Sequence, residues 1–112
     1  MLELICTTLD DNKAEALVTI NLAGKTDIAD HMVVASGRSA RQVGAMADYI
    51  VDALKDNGFG RPRTEGMEAC DWVLLDAGDV IVHLFRPEVR EFYNVEKMWN
   101  ADLSKVGERA TA

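Results

Sequence analysis

The stretch Trp72-Val73-Leu74-Leu75-Asp76-Ala77-Gly78-Asp79-Val80-Ile81-Val82-His83-Leu84-Phe85 decides how the chain can fold. It holds two β-rich runs, Trp72 to Asp76 and Val80 to Phe85, separated by Ala77-Gly78-Asp79, a connection of hairpin length. The tightest register sets Leu75 opposite Val80. Side chains alternate across a strand, so Val73, Leu75, Val80, Val82 and Leu84 fall on one face and form an unbroken aliphatic set that calls for a helical cover. Trp72, Leu74, Asp76, Ile81, His83 and Phe85 fall on the other, where large groups alternate with polar ones. An all-aliphatic core leaves the aromatics of this second face with no obvious interior to enter. Two readings stand: a loop or the N-terminal helix covers them, or they dock onto a protein partner as apolar anchors within a polar rim.

Upstream of the hairpin, Ser39 to Asn57 is the clearest helix. Val43, Ala47, Ile50, Val51 and Leu54 line one of its faces, Ser39 stands at the N-cap position, and Gly58 stands where helices end in a left-handed residue. His31 to Ser36 is a short Val-rich run that reads as a central strand, and the alternating segment from Ala16 through Leu22 reads as another. Leu2, Ile5, Cys6 and Leu9 give a short amphipathic helix at the start, and Arg63 to Glu65 a brief strand after Arg61-Pro62. Beyond the hairpin, Pro87 opens a helix carrying Val89, Phe92, Tyr93, Glu96 and Trp99 and ending near Asn100. The expectation is a single α/β domain of α+β character over residues 1–103, with a mixed β-sheet and helices mainly on one face. Residues 104–112 have little to bury and are expected to form a flexible tail.

Composition removes several classes of function. With 48% hydrophobic and 28% charged residues the chain is ordinary for a globular domain, and no apolar run nears the ~20 residues that span a bilayer. The first residues carry Glu3 and no basic cluster ahead of an apolar stretch, so a signal peptide is not indicated and a cytoplasmic location is expected. Twelve Lys and Arg stand against 19 Asp and Glu, a net charge of -7 that disfavours direct nucleic-acid binding. The two cysteines, Cys6 and Cys70, make neither a disulfide framework nor a zinc motif.

Constellations that would carry chemistry are weak. Ser36, His83 and an Asp would compose a triad only without the Gly-x-Ser-x-Gly frame that presents a nucleophile. His31, Cys70 and His83 share no metal-ligand spacing. Ser36-Gly37-Arg38-Ser39 joins a strand to a helix N-terminus, where an anion is favoured, yet a capped tight turn explains the same residues better. Asp76 and Asp79 fit turn chemistry as readily as magnesium binding. No catalytic, cofactor-binding or metal-binding residue is expected.

The ordered run Ala29-Asp30-His31-Met32-Val33-Val34-Ala35-Ser36-Gly37, Ser39, Arg41-Gln42-Val43, Glu65-Gly66, Trp72-Val73-Leu74-Leu75-Asp76, Gly78-Asp79-Val80, Val82-His83-Leu84-Phe85, Arg90, Phe92-Tyr93, Glu96 and Trp99 resembles the Iojap-like ribosomal silencing factor family, RsfS. The resemblance covers nearly the whole chain. It implies a nucleotidyltransferase-like fold without that superfamily's catalytic carboxylates. It also implies a non-enzymatic factor that binds large-subunit ribosomal protein fourteen, blocks joining of the subunits and lowers translation when nutrients are scarce. Organellar relatives imply a role in large-subunit assembly as an alternative, and a nucleotide-binding enzyme or a homodimer of the free protein remains open. Carried over to this sequence, the partner-binding positions are Trp72, Asp76, His83, Phe85, Arg90 and Tyr93, with Glu65 and Gly66 beside them, although Arg90 and Tyr93 also suit a bracing role from the last helix. Ala77 and His31 depart from the family pattern, which has aromatic residues at those places, and Cys70 lies outside it.

Overall fold

The two runs with the most continuous apolar character lie side by side at the centre of the molecule. In the computed structural model, which describes residues 1–95, the chain runs α1 (Leu2–Asp11), β1 (Glu15–Asn21), β2 (His31–Ser36), α2 (Ala40–Asp56), β3 (Arg63–Glu65), β4 (Trp72–Asp76), β5 (Val80–Phe85) and α3 (Pro87–Tyr93). The five strands form one sheet in the order β1-β2-β5-β4-β3. The central pair, β2 and β5, is parallel, with His31 opposite Val80 and Ser36 opposite Phe85, and every other pairing is antiparallel. This is the mixed sheet of an α+β domain. The last helix, expected to run on to near Asn100, ends at Tyr93, where Asn94 turns left-handed at φ 48; Glu96, Trp99, Asn100 and the tail 104–112 lie outside the described residues.

One face of the sheet is covered by α1 and α2. Val33 and Ala35 of β2, Val73 and Leu75 of β4, and Val80, Val82 and Leu84 of β5 pack there against Ile5 and Leu9 of α1 and the apolar side of α2. The buried side of α2 is Val43, Met46, Ala47, Ile50, Val51 and Leu54, the expected stripe with Met46 added. Its start is fixed locally. Ser39 Oγ accepts the Gln42 amide at 3.1 Å, Gln42 Oε1 accepts the Arg38 amide at 2.7 Å, and the Gln42 side-chain amide donates to the Asn12 and Lys13 carbonyls, tying the end of α1 to the start of α2. Asn57 ends the helix and Gly58 follows in the left-handed region with φ +81.

The hairpin register differs from the tightest one. Leu75 pairs with Val82 and Asp76 with Ile81, two residues from the expected alignment. Residues 77–80 make no pair between β4 and β5: Asp76 Oδ1 accepts the Gly78 amide at 2.9 Å, Gly78 takes φ +89, and the Ala77 amide closes the loop onto the Val80 carbonyl. The Asp79 carbonyl accepts the amides of Asp30 and His31, so the turn is also tied to the entry of β2. A shift of two residues leaves every side chain on its expected face.

The second face carries its own smaller core. Ile20, Leu22, Ala29, Met32, Val34 and Phe85 are buried together, with Val18, Trp72, Ile81, Val89 and Val95 partly buried around them. The segment from Leu22 to Ala29 and helix α3 supply its cover, rather than the N-terminal helix, which lies on the opposite side.

Replacing Ser39 with Ala removes the α2 cap, and unfolding in urea is expected to show a loss of about 1 kcal/mol with an unchanged denaturant slope.

Candidate functional site

The second face divides along the strand order. Phe85 sits on the central strand β5 and is fully buried at 0% exposure, with His83 next to it at 8%. Trp72 and Leu74, one strand further out on β4, remain partly exposed, and Glu65 and Gly66 at the sheet edge are exposed. Glu65, Gly66, Trp72 and Leu74 line an open groove of about 350 Å³. Phe85 therefore does not provide docking surface in the free protein. Covering of the face by the 22–29 segment and α3 removes it from solvent, and Trp72 and Leu74 carry the exposed apolar area instead.

Three rings surround Trp72. Its centroid lies 5.0 Å from that of Phe85, its cross-strand partner, 5.9 Å from His83 and 4.7 Å from Tyr93 of α3. Phe85 and His83 lie almost parallel to each other, with an interplanar angle of 8°. Tyr93 is half exposed and meets Phe92 edge to face, so the aromatic cluster runs from the inner core out to solvent. Phe92 itself is 81% exposed, which its helical spacing did not indicate.

Trp72 Nε1 donates to His83 Nδ1 at 2.9 Å. An indole N–H can only donate, so His83 must accept with an unprotonated nitrogen and is held neutral. Burial acts in the same direction and pulls the His83 pKa down from 6.5 to about 4. This bond joins β4 to β5 by side chains and fixes the plane of the indole that faces the groove.

The turn before β4 depends on Gly66. It adopts φ +85, and a Cβ there would overlap the Trp72 carbonyl oxygen. The Cys70 amide donates to the Gly66 carbonyl at 2.9 Å, closing the turn that delivers Trp72 into the sheet. Cys70 is itself left-handed at φ 55, and its thiol donates to the Met67 carbonyl. Partial burial, with Asp48 and Asp71 nearby, raises the thiol pKa. Between Cys70 and Trp72, Asp71 pairs with Arg86 at 2.8 Å, and Arg86 also meets Glu88 at 3.1 Å.

Apart from the buried Phe85 and His83, the expected partner-binding residues fall into three groups. Trp72, Glu65 and Gly66 meet at the groove, joined by Leu74, whose place on the amphipathic strand face was visible but which carried no motif signal. Tyr93 reaches Trp72 from α3, while Arg90 reaches β2, where its Nη1 donates to Ser36 Oγ at 2.9 Å. Asp76 is partly exposed at the turn and accepts from Gly78. Ala77 packs beside the helix-covered core, so its departure from the family pattern falls away from the groove residues.

The residues weighed for chemistry are engaged by neighbours. Ser36 is engaged by Arg90 and His83 by Trp72, and the N-terminus of α2 is occupied by its own Ser39 and Gln42 side chains. Among the described residues there is no cluster of His, Cys, Asp and Glu able to hold a metal ion, and no helix is long and apolar enough to cross a membrane.

Because the folded protein keeps His83 unprotonated down to about pH 4 while the unfolded chain takes up a proton below pH 6.5, the stability due to neutral His83 is complete above pH 6.5 and is lost as the pH falls toward 4. Between pH 7.5 and pH 5, urea titrations are expected to show the parent chain losing about 2 kcal/mol more than a His83→Gln variant. Equal losses would mean that His83 is not held neutral.

The family described as "Ribosomal silencing factor during starvation" matches residues 1–111. A relative from Zymomonas mobilis named ribosomal silencing factor RsfS is 58% identical over 99 residues, covering 88% of this chain and 74% of its own. A mouse relative named "Mitochondrial assembly of ribosomal large subunit protein 1" is 32% identical over 101 residues, covering 88% of this chain and 44% of that one. A crystal structure of a protein from Chromobacterium violaceum superposes with a TM-score of 0.87 at 37% identity, covering 90% of this chain and 84% of that one. Sequence along nearly the whole length and fold agree, and the chain belongs to the ribosomal silencing factor family, RsfS.

Proposed function

We propose that the protein docks onto the large ribosomal subunit through large-subunit ribosomal protein fourteen, using the groove at Trp72, and so prevents the small subunit from joining, lowering translation when nutrients are scarce. No reaction is catalysed in this reading. The observation that carries it is the combination of an indole fixed by His83 with an open apolar groove at the sheet edge. A rigid, partly exposed aromatic beside polar neighbours is the arrangement that concentrates binding energy at protein interfaces.

Charge supports a basic partner. The net charge of -7, Glu65 in the groove and Asp76 at the far end of β4 favour encounter with a cationic ribosomal protein and set its orientation more than its affinity. A second reading, assistance in assembling the large subunit, is favoured by the name of the mouse relative. Both readings use the same docking event. They differ in whether the subunit bound is mature.

Trp72→Ala is expected to weaken co-sedimentation with large subunits about 30-fold, the cost of truncating an anchor of ~2 kcal/mol. Phe85→Ala, by contrast, is expected to act first on stability, lowering it by about 3–5 kcal/mol as a buried aromatic is emptied from the core. A subunit-joining assay with purified small and large subunits separates the two roles. Inhibition by the parent chain and its loss with Trp72→Ala are expected, and unchanged joining at saturating protein would remove the silencing role.

A further inference from the structure

Helix α3 has seven residues and buries none of them fully. A helix so short does not persist on its own, and what holds it decides where its side chains stand. Val89 is partly buried against the second core, the Arg86 amide donates to the Asp71 carbonyl at 3.0 Å, and Tyr93 lies on Trp72. Arg86 also pairs with Asp71 at 2.8 Å, and a further polar anchor reaches the central strand β2. Arg90, one turn before Tyr93, donates to the hydroxyl of Ser36 at the end of β2, and Ser36 is only 4% exposed.

We infer that Ser36 is a positioning residue for docking: through Arg90 it sets α3 so that Tyr93 stands against Trp72 and completes the wall of the partner site. This rests on the docking role of Trp72 proposed above. Ser36 is fixed by its surroundings. It is paired with Phe85 across the parallel central strands, and the amide of the following Gly37 donates to the Phe85 carbonyl at 2.9 Å. The hydroxyl is therefore a stationary acceptor, and a charged donor bonded to it holds the helix in one place. Arg90 and Tyr93 are three positions apart on one helix, so a rotation or slide that releases the first displaces the second. Partner contact at Arg90 is not required for its substitution to weaken binding.

The chain has two tryptophans, Trp72 and Trp99, so a Trp99→Phe background leaves Trp72 as the sole emitter. In that background Ser36→Ala is expected to red-shift Trp72 emission and increase its quenching by acrylamide. It is also expected to weaken binding to large subunits about tenfold, the effect of losing one hydrogen bond to a charged group. Tyr93→Ala should do the same, and the double variant should be no worse than Tyr93→Ala alone, because both act through one contact. Arg90→Gln breaks the same bond from the helix side and serves if Ser36→Ala fails to fold. Unchanged Trp72 emission and affinity in a folded Ser36→Ala or Arg90→Gln protein, or effects of Ser36→Ala and Tyr93→Ala that multiply, would overturn the inference. Undiminished binding by Trp72→Ala would be a different result: it would remove the docking face itself, and the positioning role with it.

Discussion

The parallel pairing of β2 with β5 is the constraint on which the rest of the structure depends. It joins two stretches separated by nearly half of the described chain and places both in the middle of the sheet, where residues on either side are removed from water. Parallel strands stay buried on both faces, and this pair follows that rule. One face is closed by α1 and α2, and the other by the 22–29 segment and α3. Burial of the pair makes Phe85 an interior residue, makes His83 a neutral one, and pushes the accessible part of the second face outward to β4 and β3.

From that constraint the groove follows. Trp72 lies one strand out from Phe85, close enough to stack on it and far enough to keep part of its ring in solvent. His83 receives its indole proton, Gly66 lets the preceding turn pass close to its carbonyl, and Tyr93 reaches it from α3. Each of these contacts comes from a different segment. The site is therefore a product of the whole fold and would not survive as an isolated hairpin.

Much of this was legible in the residues themselves. Period-two alternation placed Val73, Leu75, Val80, Val82 and Leu84 against the helices, and Ser39 with Gly58 marked the ends of α2, because these signals are local. The hairpin register was not legible, since it turned on Asp76 capping Gly78 and on Asp79 bonding to the entry of β2. Nor was the burial of Phe85 and His83. Alternation assigns a side chain to a face, but whether that face is wet depends on strand order, and β5 is central while β4 is one step from the edge. The meeting of Tyr93 with Trp72 and of Arg90 with Ser36 is likewise a matter of how distant segments pack.

The central claim is that the accessible end of the second sheet face, and not the helical side, meets the ribosome. Hydroxyl-radical footprinting of the protein with and without saturating large subunits tests it directly. Trp72 and Leu74 report on the groove and Tyr93 on the ring against Trp72, while Tyr49 and Phe59, 53% and 47% exposed, report on the middle of α2 and the residues just after it. The account predicts that oxidation of Trp72 and Tyr93 falls sharply in the complex while Tyr49 and Phe59 react as before. Protection of Tyr49 and Phe59 with Trp72 left reactive would contradict it.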